Sequence, residues 1–237
     1  MKKPQLLLLH GAIGASHQLQ AIAEALSAHY TIHLYDFPGH GGQPLPAGPF
    51  SISFFAAAVA DYIREQQLEN LTIFGASMGG YVALYLAKNH PELVDRIITL
   101  GTKFHWDPAT AEKETQLLQP ETMLVKVPGF AQALEKMHAP TDWKVVVERT
   151  AQMMLAMGAE NPLQPDDFKN ISTPTLILLG DRDRMVSFEE TLQTYKLLPD
   201  AGLGVLPHTP HPAELVNAQL VTAIILANQS SKKPIAG

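Results

Sequence analysis

The stretch LTIFGASMGGYVALYLAKNH, residues 71–90, changes character in its middle. Leu71–Phe74 is apolar and β-prone, the small residues Gly75-Ala76-Ser77-Met78-Gly79-Gly80 follow, and apolar residues then recur at helical spacing to Asn89. His90-Pro91 closes the helix, because a residue before proline leaves the helical region. A strand therefore runs into a helix through a tight turn with one serine at its apex. Such a turn lifts a serine hydroxyl above the strand end, and flanking glycines relieve the crowding. The helix that begins at once offers free N–H groups and the positive end of its dipole to a developing oxyanion. Gly-x-Ser-x-Gly also arises by chance, so the rest of the chain decides whether Ser77 is a nucleophile or only part of a turn.

Working outward, the same alternation recurs. Short apolar runs at Gln5–Leu9, Thr31–Tyr35, Leu71–Phe74, Arg96–Leu100, Thr175–Leu179 and Gly202–Leu206 have the pattern of strands buried on both faces of a parallel sheet. Between or after them lie helical segments at His17–His29, Ser53–Gln67 (with Ser51 or Ser53 as N-cap), Met78–Asn89, Phe188–Leu198 and Ala213–Asn228. Alternating strands and helices imply βαβ units with right-handed crossovers, an α/β fold. The alternation breaks once. From Thr102 to about Ile171 there are only helical pieces, near Pro108–Leu118, Pro120–Met137 (broken at Pro128-Gly129) and Asp142–Met157. Some 70 structureless residues are implausible inside a compact domain. Residues 104–170 are accordingly read as a helical insertion, with 1–103 and 171–237 as the core. Glu214 is expected at the start of the last helix, where an acid suits the dipole. The polar tail NQSSKKPIAG, residues 228–237, is expected to fray.

Composition narrows the partners. The chain of 237 residues is 46% apolar and 17% charged, with a formal net charge of −6 and no Lys/Arg-rich block, which argues against nucleic acid or an anionic membrane surface. Cysteine is absent, so disulfides, thiolate catalysis and Cys-ligated zinc are excluded. No HxH or HExxH spacing occurs, which argues against a metal site. Two lysines before four leucines imitate a secretory leader, but the apolar run Leu6–Leu9 is too short for one and reads as a buried strand. No stretch approaches the ~18 apolar residues of a membrane span. A cytoplasmic protein acting on a small molecule is the expectation, and nothing in the pattern reports an oligomeric state.

A serine nucleophile needs a base, since its hydroxyl is un-ionised at neutral pH. LGVLPHTPHPAEL, residues 203–215, supplies His208 and His211 after the last strand. An acid is expected between nucleophile and base, and TLILLGDRDRMVS, residues 175–187, supplies Asp181 and Asp183 at the mouth of another strand, with Asp107 a third option. The strand that ends in His10-Gly11 brings the backbone N–H of Ala12 toward the same site as that of Met78, and together these form an oxyanion hole.

With these pieces the chain resembles the α/β-hydrolase superfamily. The matching segments are LLLLHGAIGA (6–15), LYDFPGHGGQ (34–43), FGASMGGYVAL (74–84), TPTLILLGDRDRMVS (173–187) and LPHTPHPAEL (206–215), which fall in family order. The resemblance implies about six mainly parallel strands, the two leading strands of the full fold being absent. It favours Asp183 as the acid, with Asp181 capping the turn, and His211 as the base, with His208 lining the pocket or facing solvent. It further implies that His10 orders the oxyanion loop, that Asp36 and His40 fix a loop beside the site, and that the insertion acts as a cap. Trp106, Phe130 and Met153 of that cap, with His10, are expected around the pocket. The methionines of QMMLAM, with Met137 and Met185, are read mostly as core, and Trp143 as a packing anchor. The activity implied is hydrolysis of an ester or thioester of a small-to-medium, partly apolar substrate through an acyl-enzyme, without a cofactor. A carbon–carbon bond hydrolase or lyase using the same triad is the alternative. A non-catalytic ligand-binding protein of this fold is a third reading. Serine at the elbow excludes relatives that use an aspartate nucleophile, the haloalkane dehalogenases and epoxide hydrolases.

Overall fold

A computed structural model describes residues 3–230. Residues 231–237 of the tail expected to fray lie outside the described residues. Six strands, β1 (Gln5–Leu9), β2 (Thr31–Tyr35), β3 (Leu71–Ala76), β4 (Arg96–Leu100), β5 (Thr175–Gly180) and β6 (Ala201–Leu206), form one parallel sheet in the order β2-β1-β3-β4-β5-β6. The strand order reverses between β2 and β3, so the crossovers leave from both sides of β1 and helices cover both faces.

Side chains divide between those faces with the period of two that a strand imposes. Leu7 and Leu9 of β1, Ile73 of β3, Ile97 of β4 and Ile177 of β5 join one buried cluster, which includes α2 (Ile52–Glu65) and α3 (Met78–Asn89). Leu6, Leu8, Phe74, Ala76, Ile98, Leu100, Leu176 and Leu178 point the other way, into a cluster with α1 (Gln20–Leu26) and α10 (Ala218–Ser230). Four central strands match the reading of burial on both faces. The outer two do not: β2 is nowhere fully buried and β6 only at Leu206, because each lies at a sheet edge with a neighbour on one side.

Between β4 and β5 the chain forms α4 (Pro108–Thr115), α5 (Pro120–Lys126), α6 (Pro128–His138), α7 (Trp143–Ala159) and α8 (Pro165–Asn170). Four of these five start on proline, whose fixed φ suits the first helical turn and whose missing N–H is not needed there. Met123, Ala131, Leu134, Trp143 and Val147 make a small cluster of their own. Val146, Met153 and Met157 of α7 face the main core instead. The six-residue α8 escapes a periodicity search because it is shorter than two turns. After β6, α9 (Phe188–Leu197) having preceded it, the chain makes a 3-10 turn at Ala213–Leu215 before α10. Glu214 therefore sits in that turn, within reach of Gln18 Nε2 (3.3 Å), and not at the start of the last helix. Among the described residues no helix is long and apolar enough to cross a membrane.

Candidate active site

The carboxyl ends of the strands converge on Ser77. Its backbone is left-handed, with φ +49° and ψ −115°, a conformation a non-glycine residue adopts only when its surroundings impose it. Four hydrogen bonds do so: Ser77 N–H donates to Leu100 O (2.8 Å), and Ser77 O accepts from Gly80 N–H (3.1 Å), Tyr81 N–H (3.3 Å) and the Thr102 hydroxyl (3.0 Å). Gly79 lets the start of α3 press against the end of β1, since a Cβ there would collide with the Leu9 carbonyl oxygen.

His211 lies between two partners. Its Nε2 is 3.2 Å from Ser77 Oγ and its Nδ1 is 2.7 Å from Asp183 Oδ2. Asp183 Oδ1 accepts the N–H groups of Met185 (2.8 Å) and Val186 (2.9 Å), which set the carboxylate plane. Burial alone would raise the Asp183 carboxyl, but the hydrogen bond and charge of His211, with those two N–H groups, hold it below its ordinary value. Gly101, at φ +57°, passes beside this pair; a Cβ there would lie 3.1 Å from Asp183 Oδ2 and 3.4 Å from His211 Nδ1.

The rival residues are engaged elsewhere. Asp181 Oδ1 accepts Thr209 N–H (3.0 Å), tying the β5 and β6 loops together. Asp107 caps α4 through Thr110 N–H (2.7 Å), and the N–H of Thr110 draws its carboxyl down to about 2. His208, itself left-handed at φ +53°, is exposed, with Nδ1 2.6 Å from Arg182 Nη2.

The cleft beside Ser77 encloses about 30 Å³ and is lined by Ala12, Met78, Ile52, Tyr81, Lys103, Trp106 and three methionines of α7, Met153, Met154 and Met157. Of the insertion residues expected around the pocket, Trp106 and Met153 are in this lining. Phe130 is not; it is 45% exposed on α6. Neither histidine expected around the pocket lines it: His208 faces solvent, and His10 is buried behind the loop, donating from Nδ1 to Gly11 O (2.8 Å) and accepting Phe37 N–H at Nε2 (3.2 Å). Asp36 holds the next turn through Ser16 N–H (2.7 Å) and Oγ–H (2.8 Å).

Lys103 and Tyr81 escape sequence reading. Lys103 donates to Met185 O (2.8 Å) and is flanked by Glu114 (3.6 Å) and Glu190 (3.5 Å), so its charge is compensated where it meets the cleft. Tyr81 is buried on the second turn of α3, and its hydroxyl pairs with Asn161 and accepts Leu163 N–H (2.9 Å). An isolated lysine and a helical tyrosine carry no local signal for such roles. No group of three or more potential ligands able to hold a metal ion occurs among the described residues.

A family model described as the alpha/beta hydrolase fold matches residues 4–171. The chain belongs to this family. It is 24% identical over 242 residues to RutD of Yersinia enterocolitica, provisionally named a carbamate hydrolase, covering 93% of this chain and 86% of that protein. It is 34% identical over 160 residues to the pimeloyl-[acyl-carrier protein] methyl ester esterase of Aeromonas hydrophila, covering 67% of this chain and 56% of that protein. Among solved structures, the enol-lactonase of Burkholderia xenovorans superposes with a TM-score of 0.79 at 17% identity, over 98% of this chain and 93% of that one. The protein is an enzyme of the hydrolase class, in the family the five segments resemble.

Proposed function

We propose that this α/β-hydrolase cleaves an ester or thioester with a small apolar acyl group, using Ser77 as nucleophile, His211 as general base and then acid, and Asp183 to orient and stabilise the imidazole. The observation that carries the reading is the placement of one imidazole between Ser77 Oγ (3.2 Å) and Asp183 Oδ2 (2.7 Å). Because Nδ1 faces a carboxylate, the proton resides there and Nε2 is free to accept the serine proton. Ser77 Oγ adds to the acyl carbon as its proton passes to Nε2, the resulting oxyanion takes hydrogen bonds from the N–H groups of Ala12 and Met78, and the leaving group departs with the proton from Nε2. Water, deprotonated by the same nitrogen, then releases the acid and restores Ser77.

Residues 104–170 act as the cap over this cleft, and α7 sets its size through Met153, Met154 and Met157. A space of about 30 Å³ holds little more than a water molecule or two, so an acyl chain enters by displacing these flexible side chains. The methyl ester and the enol-lactone in the names of two relatives support an acyl–oxygen substrate.

The test is hydrolysis of p-nitrophenyl esters from acetate to octanoate, with a thioester, an aryl carbamate and a vinylogous diketone alongside. Short esters are expected to turn over best, and Ser77→Ala to lower kcat/KM by roughly 10⁴-fold or more while abolishing labelling by a fluorophosphonate. Near-wild-type turnover by Ser77→Ala removes the proposal. Preference for the diketone redirects it to carbon–carbon cleavage.

A further inference from the structure

The loop that carries Ala12 contains an unusual backbone. Gly14 N–H donates to Gly11 O (3.2 Å), closing a tight turn with Ala12 and Ile13 at its centre. Ile13 lies at φ +50°, in the left-handed region that turns of this kind normally give to glycine or asparagine and that a β-branched side chain resists. Such a conformation persists only when neighbours over-determine it.

Two of those neighbours come from the helices between β4 and β5. The Ile13 side chain packs on the cluster of Met123, Ala131, Leu134, Trp143 and Val147. Its carbonyl oxygen accepts a hydrogen bond from Nε2 of His138, the last residue of α6, at 3.0 Å. Nδ1 of the same ring accepts Gly41 N–H (3.1 Å) from the loop after β2. Gly41 N–H can only donate, so Nδ1 carries no proton and the ring is the neutral Nε2–H tautomer, which can donate to Ile13. His138 is fully buried. Two loops therefore meet on one imidazole at the end of α6.

We propose that His138 is a positioning residue for catalysis: by holding the Ile13 carbonyl it keeps the Gly11–Gly14 turn in the form that aims the Ala12 N–H at the oxyanion, so the insertion governs the oxyanion hole as well as the cleft. This rests on the assignment of Ala12 as an oxyanion donor. In a four-residue turn, relaxation at one central residue is taken up by the other, so releasing Ile13 turns Ala12. The contact is made in ground and transition states alike, but what it aims matters only where charge develops on the substrate oxygen.

The test compares His138→Leu, which removes both hydrogen bonds, with His138→Gln, whose amide presents an acceptor and a donor on one carbon as the neutral imidazole does. For His138→Leu, kcat on a p-nitrophenyl ester is expected to fall about 10- to 100-fold, with KM nearly unchanged, and affinity for a trifluoromethyl ketone to fall by the same factor as kcat. That ketone adds Ser77 Oγ and carries the oxyanion, so it reads the hole directly. His138→Gln is expected to recover most of both. The crystal structure of His138→Leu is expected to show Ile13 out of the left-handed region. If Ile13 keeps its positive φ there, or if ketone affinity and kcat are unchanged while only the thermal midpoint drops, the proposal is overturned. The conformation of Ile13 answers independently of activity, so a failure of the Ser77 assignment and a failure of this coupling are told apart.

Discussion

Ser77 and Gly101 both adopt left-handed backbone at the candidate active site, for opposite reasons. Ser77 is held in strain by hydrogen bonds to β4 and to Thr102, whereas Gly101 takes φ +57° freely and leaves room for the acid–imidazole pair. Gly101→Ala should cost about 1–2 kcal/mol of stability from the left-handed backbone alone. It should lower kcat as well, because its Cβ would press on Asp183 Oδ2 at 3.1 Å; urea unfolding and ester kinetics on the same preparation check both parts. At this scale Ser77, Asp183 and His211 were legible because each closes a motif at a strand end. Ile13 and His138 were not. They stand 125 positions apart, and neither a histidine at a helix end nor an isoleucine after His-Gly-Ala signals the other.

Elements were legible where a local device marks them. Ser51 is the N-cap of α2, accepting Phe54 N–H at 3.0 Å, and it, not Ser53, starts the helix. Ser51→Ala should cost about 1 kcal/mol in denaturant unfolding with only a small change in kcat, since Ile52 alone of α2 lines the cleft. Asp107 gives a sharper test. Asp107→Ala should lower the thermal midpoint by uncapping α4 while leaving ester turnover intact, and a collapse of kcat would mean that Asp107 serves as the acid. Prolines marked the starts of α4, α5 and α6, yet α8 was missed for its shortness, and the last helix was drawn too early because the 3-10 turn at Ala213–Leu215 mimics its first turn.

The molecule as a whole buries three neutral histidines where α6 meets the loops after β1 and β2. Burial pushes His10 down to about 4, holds His40 well below its ordinary value and lowers His138. The rings of His10 and His40 lie 5.3 Å apart and those of His40 and His138 5.7 Å, so a charge on any one opposes the next. Folded, each of these rings binds a proton less readily than when unfolded, where it binds one near pH ~6.5. Unfolding therefore takes up protons as pH falls below about 6.5, for His10 down to about 4, and stability falls with it, by up to about 1.4 kcal/mol per pH unit for each ring that titrates. The lowered Asp183 carboxyl acts in the same direction at still lower pH. Thermal midpoints between pH 7 and 4.5 should show the decline. His40→Phe, which puts an apolar ring among Phe37, Phe50 and Phe55, should flatten the slope by about one ring's share.

What the sequence determined by itself is the alternation of strand and helix, the parallel sheet it implies, and the candidate serine, carboxylate and histidine at three strand ends. These rest on local periodicity, on turn residues that tolerate few conformations, and on the chain order of the three candidate residues. Tertiary structure alone decided that β2 and β6 are exposed edges, that Phe130 is left out of the cleft lining while Met154 and Met157 are in it, that His208 turns to Arg182, and that His138 reaches Ile13. Each of those depends on how helices from distant segments come to rest on the sheet. Burial and hydrogen-bond partners across such a junction are set by packing, which local sequence pattern does not encode.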